Sequence, residues 1–90
     1  MADTLNDVIL PANIPVDLYA ASGIAVGTKV SVQNVTSGVV RVHVGAVAPT
    51  LGVSGAVLLS SGESGENDTG DTGLWAWSVA GGAVQIEEVV

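Results

Sequence analysis

Valine alternates with polar residues over two neighbouring stretches of the chain. In the first, Ser31 separates Val30 from Val32, and in the second, residues 40–44 continue the same alternation. A period of two is typical of strands that bury one face. Because turn-forming residues occupy positions 34–38, between the two stretches, the sequence predicts one β-hairpin over residues 25–44. The polar, outer face of this hairpin carries Lys29, Arg41 and His43.

Further short segments have the composition of strands. They are residues 8–10, 14–19, 56–60, 74–79 and 83–87. In the last of these, Val84 and Ile86 are expected to face inward, and residues 80–82 before it are expected to form a tight turn. Pro11 and Pro15 place the first two at sheet edges, since proline lacks the N–H that an interior strand donates. We expect segment 56–60 to be buried, and Tyr19 to have a packed ring and a solvent-facing hydroxyl. About six or seven short antiparallel strands, spaced by about ten residues, predict an all-β fold, either a small β-sandwich or a barrel.

The alternation over residues 74–79 puts Trp75, Trp77 and Val79 on one face of a strand. Phenylalanine is absent and aromatic residues make up 3% of the chain, so valine and alanine leave space that large side chains must fill. Tryptophan is also enriched where protein interfaces bind most strongly. We therefore expect both tryptophans in the core or in a subunit contact. A platform on which sugars stack is the alternative.

A length of 90 residues fits one domain, which we assign to residues 8–90. The polar, acidic residues 1–7 are interpreted as a flexible arm, either a frayed terminus or a segment that orders on a neighbouring subunit. No run approaches 18 apolar residues, so no transmembrane helix is predicted. The acidic start is unlike the basic start of a secretion signal, and we expect a protein that is used without export.

Charge restricts the class of partner. The net charge is −7, with two basic residues against nine acidic ones, which argues against nucleic acid and against anionic membrane surfaces. Hydrophobic residues make up 48% of the chain and charged residues 12%, so apolar patches are expected on the surface. Because such patches usually mark a contact with another protein, we expect a homo-oligomer that also binds a protein partner.

Chemically active residues are sparse. The chain has no cysteine, a single histidine, His43, and no serine in a recognisable nucleophile arrangement. We therefore predict no catalytic residue, no cofactor and no enzymatic activity, with His43 on an exposed strand.

Residues 61–73 form a glycine-rich acidic loop that carries Glu63, Glu66, Asp68 and Asp71. Their spacing does not match the twelve-residue EF-hand pattern. A solvated flexible loop is the main interpretation, and a calcium site or a contact with a basic partner are the alternatives. No metal ligand is assigned.

Two stretches of the chain resemble a known class of protein. Residues 15–28, continuing into 30–34, look like small virion proteins encoded in the structural regions of tailed bacteriophages. Residues 74–77, followed by 81–82 and 84–86, are similar to the way such proteins end. The resemblance covers most of residues 14–86, and it consists of strand and turn residues without a catalytic motif.

This resemblance implies a structural component of the virion, assembled in the cytoplasm of a host bacterium. A protein that decorates or cements the capsid shell by binding the major capsid protein is the main expectation. A head-fibre or tail component and a glycan-binding module are the alternatives. No functional residue carries over from the resemblance. The candidate contact residues come from the chain itself: Trp75, Trp77, Lys29, Arg41, His43 and Tyr19.

Overall fold

The computed structural model describes residues 7–48 and 57–89, and two of its strands, Val30–Asn34 and Val40–Val44, follow the valine alternation. The elements are β1 (Val8–Leu10), β2 (Val16–Asp17), α1 (Leu18–Ser22), β3 (Val30–Asn34), β4 (Val40–Val44), β5 (Val57–Leu59), β6 (Ser64–Glu66), β7 (Leu74–Trp77) and β8 (Gly82–Glu88). The first sheet has the strand order β1-β8-β3-β6, and the second has β2-β7-β4-β5. All strand pairs are antiparallel.

The two sheets share one apolar core, which confirms the predicted all-β fold and makes it a sandwich. Alternate residues of β1, β3, β7 and β8 face this core, as the period of a strand requires. Val84 and Ile86 of β8 are buried, as predicted. The core consists of Val8, Leu10, Val30, Val32, Val84 and Ile86 from the first sheet, Val40, Leu59, Leu74 and Ala76 from the second, and Leu18, Tyr19 and Ile24 from α1 and the segment after it.

The predicted hairpin over residues 25–44 is wrong. β3 pairs with β6 and β8 in the first sheet, whereas β4 pairs with β5 and β7 in the second. Residues 35–39 therefore cross from one sheet to the other. The first strand also begins only at Val30, and Val26 is exposed. The cause of the error is physical: alternation decides which side chains are buried, but it does not select the neighbouring strand.

A buried amide holds this crossing. The side-chain nitrogen of Asn34 donates to the carbonyl oxygens of Gly38, at 2.7 Å, and Leu59, at 2.8 Å. Its side-chain oxygen accepts a 2.9 Å hydrogen bond from the backbone N–H of Thr36. Asn34 thus closes the turn that follows β3 and ties it to β5 of the opposite sheet. We call residues 34–39 the Asn34 crossing.

The turn predicted between β7 and β8 forms, but it also joins different sheets. The N–H of Gly81 donates to the carbonyl oxygen of Ser78 at 3.2 Å, and the hydroxyl of Ser78 donates to the carbonyl oxygen of Gly81 at 3.2 Å. The N–H of Asn13 donates to the same Ser78 carbonyl at 2.7 Å, which anchors the turn to the segment after β1.

The predicted strand over residues 14–19 is short. Only Val16–Asp17 pairs with β7, and α1 begins directly afterwards. Asp17 caps the helix by accepting a 3.1 Å hydrogen bond from the N–H of Ala20, a local interaction that competes with extended backbone. Gly23 ends the helix in the left-handed conformation, with φ 79°. The expected edge positions of β1 and β2 are confirmed.

Tyr19 is buried with its hydroxyl, which corrects the expectation that this hydroxyl faces solvent. The hydroxyl donates to the carbonyl oxygen of Thr28 and accepts from the side-chain nitrogen of Asn67, both at 2.7 Å. The side-chain oxygen of Asn67 accepts from the N–H of Val30, also at 2.7 Å. A chain of buried hydrogen bonds therefore connects α1, the start of β3 and the acidic loop.

The two segments around position 60 differ from their predictions. β5 is an edge strand, and Leu58 within it is exposed, because an uninterrupted apolar run does not reveal which face is buried. Within the acidic loop, β6 pairs with β3, so part of this loop is ordered sheet. Residues 1–6 of the predicted arm lie outside the described residues, and Asp7 is exposed.

Asn34→Ala removes the donor that the side chain gives to the carbonyl oxygens of Gly38 and Leu59, and the bond to Leu59 is buried. We expect the free energy of unfolding in urea to fall by about 3 kcal/mol. Gln33→Ala is the matched control, since the neighbouring Gln33 is exposed and makes one hydrogen bond to Gly62. It should cost about 0.5 kcal/mol or less. Equal losses for both variants would contradict the role given to Asn34.

Tyr19→Phe keeps the ring and removes the hydroxyl between Thr28 and Asn67. The expected loss is about 2 kcal/mol in the free energy of unfolding, because the buried Asn67 amide and the partly buried Thr28 carbonyl lose their partner. Combining it with Asn67→Ala should cost less than the sum of the single losses, since both changes break one network. Additive losses would show that the two residues act independently.

Candidate functional site

Four of the six candidate contact residues lie together. In the second sheet, Leu74 and Ala76 of β7 and Val40 of β4 face the core. The residues between them therefore lie on the outer side of the sheet. We define the Trp face as this outer surface, formed by Asp17, Arg41, His43, Leu58, Trp75 and Trp77.

The strand register arranges the Trp face in two rows. Trp75 lies opposite Asp17 on one side and His43 on the other. Arg41 lies between Trp77 and Leu58 in the adjacent row. Directly opposed residues have Cβ atoms about 5 Å apart, so each row is a set of neighbouring side chains. The sequence predicted Trp75 and Trp77 on one face but could not show that Arg41 and His43 lie across from them.

Trp75 is fixed by its indole. Its ring N–H donates to the carbonyl oxygen of Gly45 at 2.9 Å, and the N–H of Gly45 donates to the carbonyl oxygen of Gly73 at 3.1 Å. The two backbones approach so closely that a Cβ at position 73 would overlap the Gly45 carbonyl oxygen. Glycine at position 73 is therefore required for the contact that orients Trp75.

Trp77 has an accessibility of 1%, although it does not belong to the central core. It forms one wall of an open cleft of about 350 Å³ at the end of the second sheet. Because one tryptophan is covered and the other is half-buried with its ring N–H bonded, the pair does not present two free rings to a sugar. The described geometry therefore gives no support to the stacking platform.

We call the open cleft beside Trp77 the Arg41 cleft. Its lining residues are Gly38, Val39, Arg41, Leu58, Trp77, Ser78, Val79 and Ala80. Three aliphatic side chains on its wall are strongly exposed: Val39 at 50%, Leu58 at 53% and Val79 at 72%. Apolar groups in contact with water around a concave surface are typical of a binding site.

The two basic residues of the chain differ in their surroundings. Lys29 directly precedes β3 of the first sheet, and its ammonium is 3.8 Å from a carboxylate oxygen of Glu66. Within residues 7–48 and 57–89, Arg41 is the cation that no carboxylate pairs. The prediction that Lys29, Arg41 and His43 share one face is therefore wrong for Lys29. The physical reason is that β3 and β4 belong to different sheets.

The outer face of the first sheet has different chemistry. It contains a shallow polar groove of about 200 Å³, lined by Ser31, Gln33, Ser64, Gln85 and Glu87. Glu66 and Glu87 flank Ser31 on the two neighbouring strands. One side of the sandwich is therefore polar and acidic, whereas the other is aromatic, aliphatic and carries the unpaired arginine.

Carboxylates of the acidic loop support local turns. Glu63 accepts a 2.6 Å hydrogen bond from the N–H of Ser60, and Asp71 accepts a 2.9 Å hydrogen bond from the N–H of Asp68. Among the described residues, no three His, Cys, Asp or Glu side chains are grouped so that they could hold a metal ion.

Several residues important for the site were not singled out from the sequence. Asn34 had a usable signal, because it continues the inward positions of Val30 and Val32 and an inward asparagine requires buried partners. Leu58 had none, since all three residues of β5 are apolar. The cleft itself has no local signal, because its walls come from three distant segments.

No protein-family model matches the chain, and no curated protein and no solved structure is similar to it. In the described part of the chain, none of the helical structure is long and apolar enough to cross a lipid bilayer.

Gly73→Ala tests the contact that orients Trp75. We expect the added methyl group to separate the Gly45 and Gly73 segments and to lower the free energy of unfolding by about 2 kcal/mol. Gly38→Ala is the control, because a Cβ at position 38 would meet no atom within 4 Å. Urea unfolding measures both losses, and tryptophan fluorescence reports the change around the indole. A stable Gly73→Ala protein with unchanged emission would contradict the assignment.

Proposed function

We propose that this protein is a non-enzymatic structural component of a tailed-phage virion that decorates or cements the capsid shell by protein–protein contacts. The observation that supports the proposal is the exposure of Val39, Leu58 and Val79 around the Arg41 cleft, on a domain whose core is already closed. The proposed partner is the major capsid protein or another virion protein, and the proposed location is the virion.

The chemistry of the Trp face favours a protein partner. The lining of the cleft combines aliphatic side chains and Trp77 with Arg41 and Ser78. Protein interfaces are enriched in tryptophan and arginine and exclude water from an apolar centre. Contact with a partner would remove these aliphatic side chains from water, which is the main favourable term in association.

The charge of the domain suggests how copies would be arranged. Each copy carries a net charge of −7, and the outer face of the first sheet contributes Glu66 and Glu87 to it. Like charges repel when these faces approach. We therefore propose that the acidic face is directed away from the shell and the Trp face toward it.

The proposal predicts saturable binding to capsids. Heads of the phage whose genome encodes the chain would be prepared without it, mixed with increasing amounts of the purified protein and sedimented. We expect the bound amount to reach a plateau at a fixed ratio to the capsid protein, because lattice sites are limited and equivalent. The protein without heads is the control and should remain in the supernatant.

Two results would contradict decoration of the shell. Protein that never co-sediments with heads is not a shell component. Protein that binds tails or fibres prepared from the same phage, or that forms long assemblies alone, belongs to the head-fibre or tail alternative.

A further inference from the structure

We propose that the Arg41 cleft binds an extended segment of a partner protein in which a carboxylate side chain lies next to aliphatic side chains. The inference rests on the proposed function in taking the partner to be a protein, and it adds the chemistry of the segment that is bound. It does not require the partner to be a capsid protein.

The size of the cleft suits a segment of chain. Its volume of about 350 Å³ is at the lower end of the range found for binding pockets. A few side chains fill such a space, whereas a folded surface would enter it only with a protruding segment. The exposed side chains of Leu58 and Val79 extend the apolar surface beyond the cleft and offer contacts to the residues on either side of an inserted one.

The charge of Arg41 specifies the polar group of the partner. A guanidinium binds a carboxylate through two parallel hydrogen bonds, and it holds this geometry better than an ammonium does. Arg41 is half-buried and has no acidic partner among residues 7–48 and 57–89. In a chain with nine acidic residues and two basic ones, this unpaired cation next to an apolar surface is complementary to a carboxylate flanked by aliphatic groups.

The walls of the cleft are held in place before binding. Gly38 belongs to the Asn34 crossing, where its carbonyl oxygen accepts from the Asn34 amide. On the opposite wall, the carbonyl oxygen of Ser78 accepts hydrogen bonds from the N–H groups of Asn13 and Gly81. Little ordering is therefore required when a segment enters, and a preformed site loses less affinity to conformational entropy.

A second copy of this chain is a less suitable occupant. It carries the same net charge of −7, so long-range repulsion opposes the approach of two copies. Its exposed Glu87 and Glu88 could pair with Arg41, and analytical ultracentrifugation tests this directly. If the protein dimerises and Arg41→Gln abolishes the dimer, the cleft binds a second copy of the chain. That result would overturn the proposal.

The binding test uses two defined peptides. Acetyl-Val-Glu-Val-amide and its glutamine analogue are titrated into the ¹⁵N-labelled protein, and amide and indole signals are followed by NMR. We expect the glutamate peptide to bind about fivefold more tightly than the glutamine peptide. Shifts should be confined to residues 38–41, 58 and 77–80, including the indole N–H of Trp77. The indole N–H of Trp75, bonded to Gly45, should change little.

Matched variants distinguish binding in the cleft from nonspecific effects of charge and hydrophobicity. Arg41→Gln should remove the fivefold preference for the glutamate peptide, whereas Lys29→Gln, an equal change of charge on the other sheet, should retain it. Val79→Ser should weaken binding of both peptides. Ile9→Ser is its control, because Ile9 is exposed to 69%, close to the 72% of Val79, and lies on β1 of the first sheet.

Three results would overturn the inference. The first is the absence of shifts at the cleft up to millimolar peptide, and the second is equal binding of the two peptides. The third is a preference for the glutamate peptide that Lys29→Gln loses and Arg41→Gln retains. Urea unfolding of each variant confirms that it is folded.

Capsid sedimentation with the same variants distinguishes this inference from the proposed function. Capsid binding that Arg41→Gln and Val79→Ser do not weaken, together with no peptide binding at the cleft, would leave the proposed function standing and overturn the inference. Peptide binding at the cleft without capsid binding would support the inference and contradict the proposed function.

Discussion

The structure depends on the buried side chain of Asn34. Its amide satisfies the carbonyl oxygens of Gly38 and Leu59 and the N–H of Thr36 at the point where the chain leaves the first sheet. The hydrogen bond to Leu59 is buried, and a buried backbone group must have such a partner because water cannot reach it. β4 then lies in the second sheet, and the valines of both strands face each other across the core.

Placing β3 and β4 in different sheets also separates the charges. Lys29 remains with Glu66 on the polar side of the sandwich, whereas Arg41 lies on the Trp face beside Trp77 and Leu58. A hairpin would have put both cations on one surface. The two faces differ in chemistry for this reason, and a domain with distinct faces can be oriented on a partner.

A domain of this size has a thin core, and it keeps several aliphatic side chains in water around the Arg41 cleft. This exposure has a cost in hydration that contact with a partner would remove. The walls of the cleft are tied down by the Asn34 crossing and by the hydrogen bonds of Ser78, so the surface is ready for a partner without rearrangement. An assembly protein whose chemistry consists of contacts fits these features.

Four features follow from the sequence alone, because period two and proline chemistry are local properties. They are the all-β class, the inward positions of Val84 and Ile86, the edge strands next to Pro11 and Pro15, and the shared face of the tryptophans. The choice of neighbouring strands, the burial of the Tyr19 hydroxyl and the Arg41 cleft arise only in the folded chain. These depend on contacts between segments far apart in the chain: Tyr19 with Asn67, and residues 38–41 with 58 and 77–80. The alternation of apolar and polar residues indicates which face of a strand is buried, but it does not indicate which strand lies beside it.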